Sequence, residues 1–296
     1  MEWFQIKVFV TDESLKEALS SFFFDLGAEG VSETIDKGVS QGICACFPNE
    51  QETELKDQIN KYLESLKEGF SSANNLTWIF TWVPEDNWSE KYKEFYQAQK
   101  LTERFFLRPQ WDLKTAIPTD MFPIILDPGQ AFGTGLHPST KLSMKLIEDA
   151  AGLYPNLQDL NILDVGTGTG ILAIAANHLG FGSVIAIDND EDAVRVAREN
   201  LVINQAEKVN VSGTSISSLS GSFDLIVSNI LLETHLLLAK DYSRLLKTGG
   251  LLILSGLLGG QLKQVESVLK PQGFVPQQKY LYQEWAATSY CLRVKS

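Results

Sequence analysis

Cysteine and histidine are both scarce in this chain, at three each. Three cysteines cannot build a disulfide framework. Cys44 and Cys46 are spaced C-x-C in an alternating run that puts both on one face of a strand. His137, His178 and His235 show no paired ligand spacing, so no metal site is expected and the thiols read as free, buried or half-buried. No uninterrupted apolar run of about 18 residues occurs, which argues against a membrane-spanning helix. The start, Met1-Glu-Trp-Phe-Gln-Ile-Lys-Val8, enters a strand pattern directly, without a basic segment or an apolar signal-like core, and a cytoplasmic protein is the expectation. Positive charge is also short: 25 Lys and Arg face 37 Asp and Glu, for a net charge of −12. Residues 1–84 hold 6 of the basic and 14 of the acidic residues, net −8, and residues 85–296 hold 19 and 23, net −4. An acidic first segment repels phosphates, so direct nucleic-acid binding is not expected and a basic protein suits it as partner. Solubility alone would also account for the charge.

What is present is an ordinary globular composition, 44% hydrophobic and 21% charged, over a length sufficient for two domains. Residues 3–10 alternate as a strand; a helical segment follows from Thr11/Asp12 to Gly27, with Leu15, Ala18, Leu19, Phe22 and Leu26 at helical spacing. Strands at Gly30–Ile35 and Gln41–Phe47 flank the turn Asp36-Lys-Gly38, a capping pair Asn49/Glu52 opens a second helix that ends at Gly69, and Thr77–Val83 is a last strand. This β-α-β-β-α-β order is that of a small ferredoxin-like α+β domain, residues 1–84, without a catalytic constellation. Residues 85–100 read as a charged helical linker, with Trp88, Tyr92, Phe95 and Tyr96 on one face. Residues 101–296 form the main domain. Strands at Phe105–Leu107 and Phe122–Leu126 precede it, and from Asn161 onward strands and helices alternate, ending in two strands, Phe274–Tyr280 and Trp285–Arg293, too close for a helix between them. Such alternation implies an α/β, doubly wound, mostly parallel sheet, with ligands at the carboxyl ends of its strands.

One stretch dominates that half: Asn161-Ile-Leu-Asp-Val-Gly-Thr-Gly-Thr-Gly-Ile-Leu-Ala-Ile-Ala-Ala176. A strand runs into Gly166, Gly168 and Gly170 and out into a helix. These glycines let a ligand approach where a Cβ would block it, and the helix start offers free N–H donors. A dinucleotide fingerprint G-x-G-x-x-G fails, because Ile171 stands where its last glycine belongs, and no lysine follows as a phosphate-cradling loop requires. The pattern D-x-G-x-G-x-G resembles instead the first motif of the S-adenosylmethionine-dependent methyltransferases. Asp188, 22 residues after Gly166 at the end of the next strand, suits the two hydroxyls of a ribose. Asp164 could orient the glycine turn or meet a cationic amino group, and Asn229 offers a carboxamide at another strand end. The loop Asp127-Pro-Gly-Gln-Ala-Phe-Gly-Thr-Gly-Leu-His-Pro-Ser-Thr140 has the composition of a segment that closes over a ligand, with Ser139/Thr140 starting the next helix.

Four blocks together resemble the PrmA family, which methylates large-subunit ribosomal protein eleven in bacteria: Glu85-Asp-Asn-Trp88, the 127–140 loop, the glycine turn with its helix, and Ser228-Asn-Ile-Leu231. Ser255-Gly-Leu-Leu258 is similar as well. The resemblance implies a seven-stranded Rossmann-like methyltransferase domain, S-adenosyl-L-methionine as cofactor, and a first domain that holds the substrate. It implies that Thr140, Gly166, Asp188 and Asn229 contact the cofactor or its surroundings, with Asn229 also at the reacting centre. Gly168, Gly170 and Asp164 belong to the same turn, and Phe132, Gly133 and Thr134 to a loop over the methionine end. Leu136 and Ser139 depart mildly from the family pattern.

The activity so implied is methyl transfer from a sulfonium to a neutral amine, an N-terminal α-amine or a lysine, of a basic ribosomal protein, by a monomeric enzyme. His137 is a conceivable proton acceptor or a structural loop residue. The alternatives are a methyltransferase of another protein or of a small-molecule amine, and a non-catalytic S-adenosylmethionine-binding scaffold. Enzymes acting on glutamine or exocyclic amines usually carry Asn-Pro-Pro-Tyr where this chain has Asn229-Ile-Leu-Leu232.

Overall fold

The computed structural model describes residues 3–28, 30–36, 39–48, 52–69, 76–83, 96–126 and 135–293. The chain forms two compact units, residues 1–96 and 97–296. In the first, strands β1 (Trp3–Phe9), β2 (Gly30–Asp36), β3 (Val39–Pro48) and β4 (Thr77–Val83) and helices α1 (Glu13–Asp25) and α2 (Glu52–Gly69) follow the order read from the sequence. The sheet order is β2-β3-β1-β4 with every neighbouring pair antiparallel, as a split β-α-β unit requires. Alternation in β1 sends Phe4, Ile6 and Val8 into a core with Leu15, Leu19 and Phe23 of α1 and Ile59 and Leu63 of α2. Asp12 caps α1 by accepting from Leu15 N at 3.2 Å. Cys44 and Cys46 are free and buried, and Gln5 Nε2 donates to Cys46 Sγ at 3.5 Å. Contact with Cys46, reinforced by burial, pushes the Cys44 thiol up and keeps it protonated.

The second unit opens with a small sheet of β5 (Gln99–Lys100), β6 (Phe105–Pro109) and β7 (Phe122–Leu126). The helix expected over 85–100 does not reach its end: Gln99 and Lys100 are extended and pair with Leu107 and Phe106, while residues 84–95 lie outside the described residues. Backbone pairing there overrides a local helical pattern of side chains. Next come α3 (Pro138–Ala151), β8 (Asn161–Val165), α4 (Ile171–Leu179), β9 (Ser183–Ile187), α5 (Glu191–Ile203), β10 (Val209–Ser212), β11 (Phe223–Asn229), α6 (Leu232–Leu245), β12 (Leu246–Leu258), α7 (Leu262–Leu269), β13 (Phe274–Tyr282) and β14 (Trp285–Leu292). They build a seven-stranded sheet in the order β10-β9-β8-β11-β12-β14-β13. The first five strands are parallel, and β14 enters antiparallel between β12 and β13. Strand β12 takes up Lys247–Gly250 as a bulge: pairing skips from Leu246 to Leu251 on β12 while β11 advances from Phe223 to Leu225.

Two features place the site. The chain leaves β8 outward to β9 and β10, then crosses back to β11 on the other side of β8, so a crevice opens at the carboxyl ends of β8 and β11. Helix α4 is apolar on all sides and buried from Ile171 to Ala176, which locks the helix that follows the glycine turn into the core. The carboxamide of Asn204 completes the edge of β7, accepting from Ile125 N at 2.8 Å and donating to Ile125 O at 2.6 Å.

Candidate active site

At the end of β8 the backbone enters the left-handed region at Gly166, Gly168 and Gly170, with φ of 73°, 54° and 82°. A Cβ on Gly166 would stand 2.5 Å from Ile230 Cγ2. The turn is held from its neighbours: Gly166 N and Thr167 N donate to Ile187 O at 2.9 and 3.0 Å. Asn200 Nδ2 of α5 donates to Thr169 O at 3.0 Å. Asp188, at the end of β9, accepts from Gly168 N at 2.9 Å with Oδ2 and from Asp190 N at 3.1 Å with Oδ1. Asp190, not Asp188, caps α5, accepting from Asp192 N. Each Asp188 oxygen keeps a lone pair beyond these bonds, and the residue borders the crevice.

Asp164 has a different position. It is fully buried, Thr167 Oγ1 donates to its Oδ2 at 2.7 Å, and Oδ1 has no hydrogen-bond partner; the nearby Ala173 N–H lowers its pKa slightly without reaching bonding geometry. Burial pushes the carboxyl up to about 7, with the Asp188 charge adding to the effect and Thr167 opposing it. Of the two roles open to it from sequence, bracing the turn is the one this geometry serves, since Asp164 is not on the crevice wall.

Across the crevice, Asn229 ends β11. Its Nδ2 donates to Thr140 Oγ1 at 3.3 Å, and Thr140 is fully buried in the first turn of α3. Asn229 Oδ1 is buried and has no partner. Gly256, with φ of 77°, passes so close that a Cβ there would lie 2.4 Å from Ile230 O and 3.1 Å from Asn229 Oδ1. Helix α3 starts one to two residues before the expected Ser139/Thr140, at Pro138, with His137 as its cap. A proline preset for the first turn and an imidazole acceptor explain the shift. His137 Nδ1 accepts from Ser139 N at 3.2 Å, and its ring meets Trp285 edge-on at 4.3 Å between centroids. Burial lowers its pKa, with Glu284 opposing, which favours the neutral ring that the bond from Ser139 N to Nδ1 requires. Of the two roles open to it from sequence, the structural one is served by this geometry, as the cap of α3.

The crevice encloses about 540 Å³, in the range of a nucleoside-sized ligand. Gly166, Gly168, Asp188 and Asn229, all read from sequence, line it. Thr140 and Gly170 stand one layer behind: Thr140 holds Asn229, and Gly170 lets α5 approach so closely that a Cβ there would lie 3.3 Å from Ala197 Cβ. Phe132, Gly133 and Thr134 lie outside the described residues. Trp285, Ser215 and Ile216 also border the space, though nothing in the sequence pointed to them. Trp285 begins a strand 119 residues beyond Gly166, and only the antiparallel return of β14 brings it there. No Lys or Arg lines the crevice among the described residues.

A sheet with this strand order, a glycine turn after its central strand, a carboxylate ending the next, and a carboxamide with an unpartnered oxygen across the switch point define a Rossmann-like, S-adenosylmethionine-dependent methyltransferase. Within that class, the family model "Ribosomal protein L11 methyltransferase (PrmA)" matches residues 2–292, and the chain belongs to this family. A ribosomal protein L11 methyltransferase of Pelobacter propionicus is 32% identical over 93% of both chains. One of Shouchella clausii is 34% identical over 97% of both. The crystal structure of a ribosomal protein L11 methylase from Lactobacillus delbrueckii subsp. bulgaricus superimposes with a TM-score of 0.62 at 35% identity, covering 67% of this chain and all of that one. The cofactor is S-adenosylmethionine. The residues present fit it: a free acceptor on Asn229 Oδ1, an accepting carboxylate on Asp188, and glycines where a side chain would collide.

Proposed function

We propose that this chain methylates amino groups of ribosomal protein L11, with Gly166, Gly168 and Asp188 holding the donor and Asn229 receiving the acceptor amine. The observation that carries the reading is Asn229 Oδ1: buried, unpartnered, on the crevice wall, and aimed by the bond from Nδ2 to Thr140. When bound, S-adenosylmethionine supplies a methyl group on a positively charged sulfur. The chain's residues then supply orientation and exclusion of water. Asn229 Oδ1 accepts an N–H of the incoming neutral amine and directs its lone pair, without itself taking a proton. The amine sheds its proton before it docks, which near pH 7 favours an α-amino group, pKa about 7.7–8, over a lysine at about 10.4.

The test is transfer of a tritiated methyl group to ribosomal proteins prepared from cells that lack the enzyme. A labelled L11 band is expected. Label on another protein, or none in the large-subunit set, would sink the assignment of substrate.

A further inference from the structure

Below the crevice lies a chain of buried polar side chains, His235, Tyr242, Ser228, Ser255 and Ser143, none of which lines its wall. His235, in the first turn of α6, is 1% exposed, and Tyr242, two turns further along, is fully buried. His235 Nε2 donates to the Ser255 carbonyl at 2.8 Å. Its Nδ1 is then an acceptor, and the Tyr242 hydroxyl lies 3.2 Å from it. The same hydroxyl is 3.3 Å from Ser228 Oγ, so its single proton serves either Nδ1 or Ser228 Oγ, while Ser228 Oγ donates to the Val165 carbonyl at 2.9 Å. Burial holds the His235 ring down at about 4, against the Ser255 and Ile230 carbonyls that face it, so the ring is neutral throughout the working range. Ser255 Oγ in turn meets Ser143 Oγ of α3, the helix whose first turn carries Thr140.

The residues these groups hold share one property. Val165 precedes Gly166, Ser228 precedes Asn229, and Ser255 precedes Gly256, so the network grips the residue before each of three crevice positions. Its surroundings are apolar, including Leu232, Ala239 and Leu245. Polar groups in such a core cost stability relative to well-packed hydrophobic ones and are high-stakes where they specify one arrangement. Gly256 is the sensitive point, because a Cβ there would fall 2.4 Å from Ile230 O and 3.1 Å from Asn229 Oδ1.

We propose that His235 is a positioning residue for methyl transfer. By clamping the Ser255 carbonyl from α6, it sets Gly256 and Asn229 on the acceptor side against the donor turn. This rests on the methyl-transfer reading for its kinetic consequence, though not for its structural one.

Three variants test it: His235→Leu removes both bonds, His235→Gln keeps an N–H donor and an acceptor, and Tyr242→Phe removes one hydroxyl. With His235→Leu, kcat is expected to fall about 10- to 100-fold, the loss associated with slight misplacement of a reacting group. The acceptor KM and the cofactor Kd, measured by calorimetry, should stay within about threefold, as for sites outside direct contact. His235→Gln should recover most of the lost kcat. In cofactor-free protein, hydrogen exchange should quicken at residues 228–232 and 254–258 in His235→Leu and stay unchanged at 161–170. Cofactor affinity falling in step with kcat, Gln and Leu variants equally impaired, or no change in either rate or exchange would each overturn the proposal. If His235→Leu does not fold, Tyr242→Phe carries the same comparison. If the wild-type protein labels no ribosomal protein, the function reading fails, and the exchange measurement still decides the role of His235.

Discussion

Asn229 and Asp164 each have one buried side-chain oxygen left without a partner, and they do opposite things with it. Asn229 faces the crevice, where a ligand can complete its hydrogen bonding; Asp164 faces the core, where nothing does. Replacing Asn229 with Ala should lower kcat about 100-fold through lost orientation of the amine, with a smaller change in cofactor affinity. Steady-state kinetics beside calorimetry checks it. For Asp164 the consequence is a pH dependence of stability. Its folded pKa, about 7, lies above the ordinary carboxylate value of 3.8, so the folded state binds the proton more tightly than the unfolded state does. Stability from this group is therefore present at low pH and is lost as pH rises towards 7. Between pH 5 and pH 8 the wild type should lose about 2–3 kcal/mol relative to Asp164→Asn, which keeps an acceptor for Thr167 and has no charge to bury. Urea unfolding of both proteins at the two pH values measures the difference. A parallel response would show that Asp164 is not protonated in the fold.

At the scale of elements, the glycine turn depends less on its own residues than on the helix behind it. Helix α5 presents Ala197 to Gly170 and the Asn200 carboxamide to the Thr169 carbonyl, so the turn is pressed and pinned from one side while Asp188 holds it from another. Asn200→Leu keeps the volume roughly and removes the donor. It should cost about 1–3 kcal/mol, the penalty for a buried carbonyl left unpaired, and weaken cofactor binding as well. A thermal melt with and without S-adenosylhomocysteine separates the two effects; an unchanged ligand-induced shift would mean that α5 stabilises the fold without shaping the turn. The small sheet β5–β7 is attached by a comparable device, the Asn204 carboxamide at the edge of β7.

For the whole molecule, the acidic bias and the crevice belong to different compact units. Residues 1–84 carry net −8, and among the described residues the crevice is lined only by positions from His137 onward. We take the first unit as the one that selects the acceptor protein by charge, and the second as the one that binds the donor. Removing residues 1–96 should abolish methylation of the ribosomal protein while leaving cofactor affinity within about threefold, because the second unit keeps its own core and its complete crevice wall. Equal loss of both in a folded fragment would contradict this division. In the intact protein, raised salt should increase the acceptor KM more than the cofactor Kd, since screening weakens attraction between exposed charges. Among the described residues no helix is long and apolar enough to cross a membrane.

Much of this was legible in the chain because it is local. Glycines at 166, 168 and 170 announce a backbone conformation that other residues resist, alternation in β1 and the apolar run of β8 announce strands, and the spacing of Asp188 follows from one strand-helix-strand unit. What the sequence left open was whatever depends on which strands become neighbours. Trp285 reaches the crevice because β14 inserts between β12 and β13, and His235 reaches Ser255 because β12 lies beside β11. His137 caps a helix where a proton acceptor was conceivable, and Asp164 turns inwards where a ligand contact was open to it. Local chemistry determined the donor turn; long-range packing decided which side chains surround the acceptor, because hydrogen bonds across 20 to 112 residues are set only when the sheet closes.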